Sequence, residues 1–118
     1  MTEESFLTRL KPYEQKLYHR LKQKYQEHAE ELSKQLGFKI TVNHPFIVSI
    51  IKNIERYGKP FCPCRREHTP ETICPCKYHV EELRKYGTCL CGLFKREGMT
   101  KQEYLEQYRK IMEEEYGD

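Results

Sequence analysis

Every cysteine of the chain lies in the stretch FCPCRREHTPETICPCKYHVEELRKYGTCLCGLF, residues 61–94, as three C-x-C pairs: Cys62/Cys64, Cys74/Cys76 and Cys89/Cys91. Thiols at this density cross-link a scaffold, bind a metal centre or cycle between thiol and disulfide. Partners two residues apart strain a disulfide, so a scaffold would have to join the pairs to one another. Zinc hairpins use wider spacing, with two to four residues between the cysteines, and a four-cysteine zinc site would leave two of the six thiols without a role. A cubane iron–sulfur cluster also takes four thiolates and tolerates tight, irregular backbone around them. Pro63 and Pro75 fix φ inside the first two pairs and stiffen them, which sends the two sulfurs of a pair in different directions. One sulfur of a pair can then reach a cluster while its neighbour stays free. Four ligands, plus two thiols from different pairs meeting as a redox-active disulfide, account for all six. Which two remains open on this reasoning.

The elements that must position these loops read as helices. Over residues 12–36, Leu17, Leu21, Tyr25, Ala29, Leu32 and Leu36 recur at steps of three and four, with Pro12 in the first turn and Gly37 just past the end. FKITV, residues 38–42, is extended in character. A second helix starts near Pro45 and carries Phe46, Ile47, Val48, Ile50, Ile51 and Ile54 over most of its circumference, which makes it the expected central buried helix. Gly58 and Pro60 end it. Thr69-Pro70-Glu71 has the form of cap, first turn and dipole-complementing acid for a brief helix leading into Cys74. Residues 77–87 read as a short helix with Val80 and Leu83 inward and Gly87 closing it. Thr100 and Glu103 form a capping box that opens a last helix, with Tyr104, Leu105, Tyr108, Ile111 and Met112 on one face. The expected fold is mainly α: one compact multi-helical domain, residues 1–118, wrapped around a [4Fe-4S] cluster, with irregular loops at the cysteine motifs.

At 118 residues, 37% hydrophobic and 33% charged, the chain is polar for a globular domain, and a bound centre would supply part of its stability. No apolar run approaches the roughly 18 residues of a membrane span. The N-terminus MTEESFLTRLKPYEQ lacks an apolar signal core. Together these point to a cytoplasmic protein whose cysteines serve metal or redox chemistry. The net charge of +3 is uneven: residues 59–101 carry nine basic and five acidic side chains, and residues 102–118 carry two and six. The basic cysteine segment offsets the charge of bound thiolates and suits an acidic protein partner. The cations are not interleaved with stacking aromatics on a recognisable module, so nucleic acid is not the expected partner.

The order C-P-C, C-P-C, C-x-C resembles the catalytic subunit of ferredoxin:thioredoxin reductase. Gly58 and Pro60 before the first pair, Arg65 after it and Leu93-Phe94 after the last agree with that family, and the resemblance covers about residues 25–112. Residues 1–24 form an N-terminal helical extension. The spacers of nine and twelve residues depart from the family's longer first and shorter second spacer, which points to a divergent archaeal or anaerobic-type branch. Leu90 stands where the family has histidine. The resemblance implies Cys62, Cys74, Cys76 and Cys89 as ligands of a [4Fe-4S] cluster, and Cys64 with Cys91 as the redox-active disulfide. Cys64 would be the exposed thiol that attacks substrate and Cys91 the inner one. It also implies ferredoxin as one-electron donor, thioredoxin or a thioredoxin-like protein as substrate, and room for a second subunit.

Arg65, Arg66 and Lys77 are the cations placed to make the surroundings of Cys64 electropositive. His68 and His79 lie within the motif and are the candidates for proton transfer in place of the histidine that Leu90 lacks. Two other functions fit the same cysteines: a non-enzymatic iron–sulfur electron carrier or redox sensor, and a structural zinc protein that binds a partner.

Overall fold

The computed structural model describes residues 5, 7–65 and 67–117, with Tyr116 described by its backbone alone. Helix α1 spans Pro12–Leu36. The Lys11 N–H donates to Glu14 Oε1 at 2.9 Å at its start, and Gly37 takes φ 83° at its end, where a side chain would be strained. Its buried stripe is Tyr18, Leu21, Tyr25, Ala29 and Leu32. Leu17 and Leu36 lie at the margin, and Tyr18, one position round from Leu17, is fully buried instead.

Strand β1, Ile40–Val42, follows from the extended FKITV segment. A 3-10 turn, His44–Phe46, leads into helix α2, Ile47–Tyr57. Ile47, Ile50 and Ile51 of α2 are fully buried, whereas Lys52, Glu55 and Arg56 face solvent. The helix is therefore amphipathic and packs one face on α1; it is not the central buried helix that its isoleucine content predicts. Pro70–Thr72 form a single 3-10 turn. The hydroxyl of Thr72 accepts the Thr69 N–H at 3.0 Å, so the capping runs opposite to the expected sense.

Helix α3 spans His79–Tyr86, strand β2 Phe94–Arg96 and helix α4 Lys101–Tyr116. β2 pairs antiparallel with β1 in the register Ile40↔Arg96, Thr41↔Lys95, Val42↔Phe94. Thr100 caps α4: its hydroxyl accepts the Glu103 N–H at 3.1 Å while its own N–H donates to the Glu103 carboxylate. Ile111 is the buried anchor of α4, and Leu105, off the Tyr104–Tyr108–Ile111 line, is exposed. The architecture is mainly α: the described residues form four helices and a two-stranded ribbon. One apolar cluster runs from α1 through α2 and β2 to Cys62, Cys74, Cys89 and Cys91. Among the described residues no helix is long and apolar enough to cross a membrane.

Candidate redox site

Backbone bonds draw the three cysteine loops together. The Cys62 N–H donates to Thr72 O at 2.8 Å and the Cys74 N–H to Pro60 O at 2.9 Å, which lays the first C-P-C against the second. The third pair sits at the tip of the turn before β2: the Cys89 N–H donates to Phe94 O at 3.1 Å and the Gly92 N–H to Cys89 O at 3.0 Å. Gly92 is needed there. Its φ is +75°, and a Cβ would lie 2.8 Å from the Tyr104 ring.

Five cysteines are buried and Cys64 is half-buried, the most accessible of the six. The structure joins Cys91 to the first pair through Cys62, with their sulfurs bonded, and leaves Cys64, Cys74, Cys76 and Cys89 as free thiols. The pairing implied by the resemblance, Cys64 with Cys91, is not the one formed. Across the stiff Pro63 the two sulfurs of the first pair diverge, Cys62 into the core beside Cys91 and Cys64 toward the surface.

Burial pushes the Cys74 thiol well up, and neighbouring Cys89 and Cys76 push it further. Burial raises Cys89 to about 11, against the pull of the Phe94 and Gly92 N–H groups on its sulfur. Burial also raises Cys76, opposed by Arg65 and by the Tyr78 N–H. The Tyr25 hydroxyl, fully buried and with no nitrogen or oxygen partner, faces the Cys74 sulfur and favours its thiolate. These thiols thus lie close to one another, in a dry pocket, with backbone and phenolic donors aimed at sulfur. That environment favours neutral thiols by itself and thiolates once a cation replaces the protons. The donor set fits a cluster held by cysteine thiolates and hydrogen-bonded at sulfur. Among the described residues, no three His, Cys, Asp or Glu side chains form a group arranged to hold one metal ion.

Charge enters the pocket through Arg65, expected as a neighbour of Cys64 and found buried. Its Nη2 donates to Glu82 Oε2 at 2.6 Å and lies 3.9 Å from Cys76 Sγ; its Nη1 donates to Glu115 Oε2 at 2.5 Å. The guanidinium sits 4.5 Å above the Tyr78 ring. Glu82 completes the link: its Oε1 accepts the Leu90 N–H at 3.1 Å. One buried ion pair therefore ties the first pair, the second pair, α3, the last pair and α4. Burial raises the Glu82 carboxyl to about 7, and the adjacent Glu115 adds to this against the pull of Arg65. For Cys64, burial raises the pKa more than Arg65 lowers it. Lys77 is engaged with Glu71 at 3.0 Å on the surface. Arg66 lies outside the described residues.

Leu90 is buried in the core with both backbone groups held, the N–H by Glu82 and the carbonyl by the Tyr104 hydroxyl at 2.9 Å. His79 lies behind the second pair. Its Nδ1 donates to the Cys76 carbonyl, which leaves Nε2 to accept from His28 Nε2 at 2.8 Å. Burial lowers the pKa of both rings, which favours their neutral forms. His68 stacks on Tyr57 and Phe61, with ring centroids 4.1 and 5.2 Å away. Sequence reasoning missed Glu82, Tyr25 and Tyr104 as site residues. Glu82 carried a signal only in its position, one turn from the inward-facing His79.

No curated protein matches the chain. A family profile does: that of the ferredoxin thioredoxin reductase catalytic beta chain, over residues 12–116.

Proposed function

The chain belongs to the ferredoxin thioredoxin reductase catalytic beta chain family, an iron–sulfur oxidoreductase family, and on that premise we propose that it is a disulfide reductase. Ferredoxin is the one-electron donor, and thioredoxin or a similar small protein disulfide is the substrate. The observation that carries this reading is the convergence of all three C-x-C pairs in one buried pocket, with Cys91 reaching the first pair.

Cys62, Cys74, Cys76 and Cys89 would hold a [4Fe-4S] cluster, which, when bound, stores and passes single electrons and so joins a one-electron donor to a two-electron disulfide. Cys64 and Cys91 are the working pair. Cys64 is the accessible member, as the attacking thiol must be. Its thiolate attacks one sulfur of the substrate disulfide, the substrate bond breaks, and the other substrate sulfur leaves and takes a proton. Cys91 then attacks the Cys64 sulfur, forms the Cys64–Cys91 bond and releases the second substrate thiol. Two electrons and two protons restore the dithiol. Arg65 stabilises the thiolate form of Cys64, and Glu82 with Tyr104 holds the Leu90 backbone so that Cys91 stays in reach.

A Cys91→Ser variant, reduced and mixed with an oxidised thioredoxin, should accumulate a mixed disulfide at Cys64, detectable by mass spectrometry. No adduct with any thioredoxin-like protein would leave an electron carrier or redox sensor as the function. The bonded Cys62 supports a second partition, in which Cys62–Cys91 is the working disulfide and Cys64 joins Cys74, Cys76 and Cys89 as ligand. The two partitions make opposite demands on Cys62 and Cys64.

A further inference from the structure

A cleft of about 370 Å³ opens over Cys91, within the size range of ligand-binding pockets. Its walls are the rings of Phe46 and Tyr104, and its polar groups are Asn43, Lys95 and Lys101. Cys91 of the proposed redox pair lines this cleft, and Tyr104 forms the wall beside it.

The cations are unlike the others around the site. Lys39, Lys77 and Lys85 each hold a carboxylate, Glu97 at 3.1 Å, Glu71 at 3.0 Å and Glu114 at 2.7 Å. Neither Lys95 nor Lys101 has a carboxylate partner among the described residues; Lys95 lies 5.6 Å from the Tyr104 ring centre. Lys101 also occupies the first turn of α4, where the helix dipole disfavours a cation. The Asn43 side-chain amide makes no hydrogen bond among the described residues. Strand β2, the 3-10 turn before α2 and the start of α4 supply these groups, so the cleft is built on ordered elements.

We propose that this cleft docks the substrate, and that it takes an acidic chain segment: a stretch of a protein in which carboxylate side chains flank the disulfide cysteine. Lys95, Lys101 and Asn43 bind the carboxylates, while Phe46 and Tyr104 pack the aliphatic parts. The inference rests on the disulfide-reductase reading. The segment delivers its sulfur to Cys64; the Cys64–substrate bond forms as the substrate disulfide breaks, one substrate thiolate leaves, and Cys91 releases the second as described above. The family's one-electron donor returns the two electrons.

The test uses the full-length holoprotein with a reduced viologen as electron source and three probes. Two are peptides with one disulfide and identical sequence except for Glu or Lys flanking the cysteines; the third is neutral hydroxyethyl disulfide. The wild type should favour the Glu peptide roughly fivefold in KM, the scale of two exposed charge contacts. The double variant Lys95→Glu/Lys101→Glu should reverse that preference. Lys16→Glu/Arg20→Glu, on the exposed face of α1, should retain it, which separates the cleft from net charge. Equal KM for the two peptides, or a preference that the cleft variant does not move, overturns the docking inference; reduction of hydroxyethyl disulfide by the wild type then still supports the reductase. If the wild type reduces none of the three probes, the reductase reading itself falls, and the inference with it.

Discussion

Helix α1 and the cysteine segment from Phe61 to Phe94 both send side chains into one core, but different forces hold them. The buried face of α1 is apolar but for two tyrosine hydroxyls. It is closed by Gly37 and fixed by area removed from water, a force with no direction. The cysteine segment has hardly any regular structure outside α3. Its shape comes from directed contacts: Cys62 N–H to Thr72 O, Cys74 N–H to Pro60 O, and the Arg65–Glu82 pair reaching on to the Leu90 N–H. A region held by apolar area loses stability when trimmed yet keeps its shape. A region held by a few polar bonds loses its geometry when one is cut, and a dithiol depends on geometry.

The difference between the two regions is tested most strongly at the thiols. With Cys62 as ligand and Cys64 as nucleophile, Cys62→Ser should abolish cluster assembly, whereas Cys64→Ser should retain about four iron and four sulfide per chain. Iron and sulfide analysis of anaerobically purified protein reads this directly, and the reverse result would install the Cys62–Cys91 partition. Next in size is Glu82→Ala, which removes the buried carboxylate that pairs with Arg65. We expect a loss of about 3 kcal/mol in denaturant unfolding, together with disulfide-reductase activity reduced more than stability alone accounts for. Leu32→Ala, a cavity in the apolar half, should cost about 2–3 kcal/mol while turnover of the folded fraction stays near wild type. If both variants damage turnover equally at matched folded fraction, the two halves are not held differently.

A smaller effect concerns pH. The Glu82 carboxyl titrates near 7 in the fold because of its burial, and near 4.5 when unfolded. The native state thus keeps a proton that the unfolded chain has lost, and this group's contribution to stability falls as pH rises from about 4.5 to about 7, then levels. Unfolding curves across that range should show the decline, and Glu82→Gln should flatten it. Smallest is Tyr25→Phe. It removes a buried hydroxyl that faces only the Cys74 sulfur, so stability should change by less than about 1 kcal/mol. The midpoint potential of the proposed cluster should fall, because one donor to the proposed ligand Cys74 is gone. An unchanged potential would mean that the hydroxyl does not engage the sulfur.

Helix existence was written in local residue types. Pro12 and Gly37 bracket α1, Gly58 follows α2, Gly87 closes α3, and the Thr100–Glu103 pair opens α4. Each signal acts through its own backbone or its nearest turn, so a linear reading finds it. Strand β2 escaped because Phe94-Lys95-Arg96 has no alternation long enough to read, and its partner lies more than fifty residues away. Leu105 was misplaced because residue type marked it apolar, while the helical angle turned it to solvent.

Residue types and order alone determined that six thiols fall in three C-x-C pairs, two of them stiffened by proline, that the chain is mainly helical and to which family it is similar. Those conclusions need only side-chain chemistry and local spacing. The tertiary structure decided the rest of the site. Nothing in the sequence joins Glu82 to Arg65 until folding brings them together, since a buried ion pair exists only where two segments supply opposite charges at one point. The same holds for Tyr104, which becomes a wall of the cleft only when α4 crosses the turn that carries Cys91. Contacts between distant segments leave no mark on local pattern, and the pocket around the cysteines is made largely of such contacts.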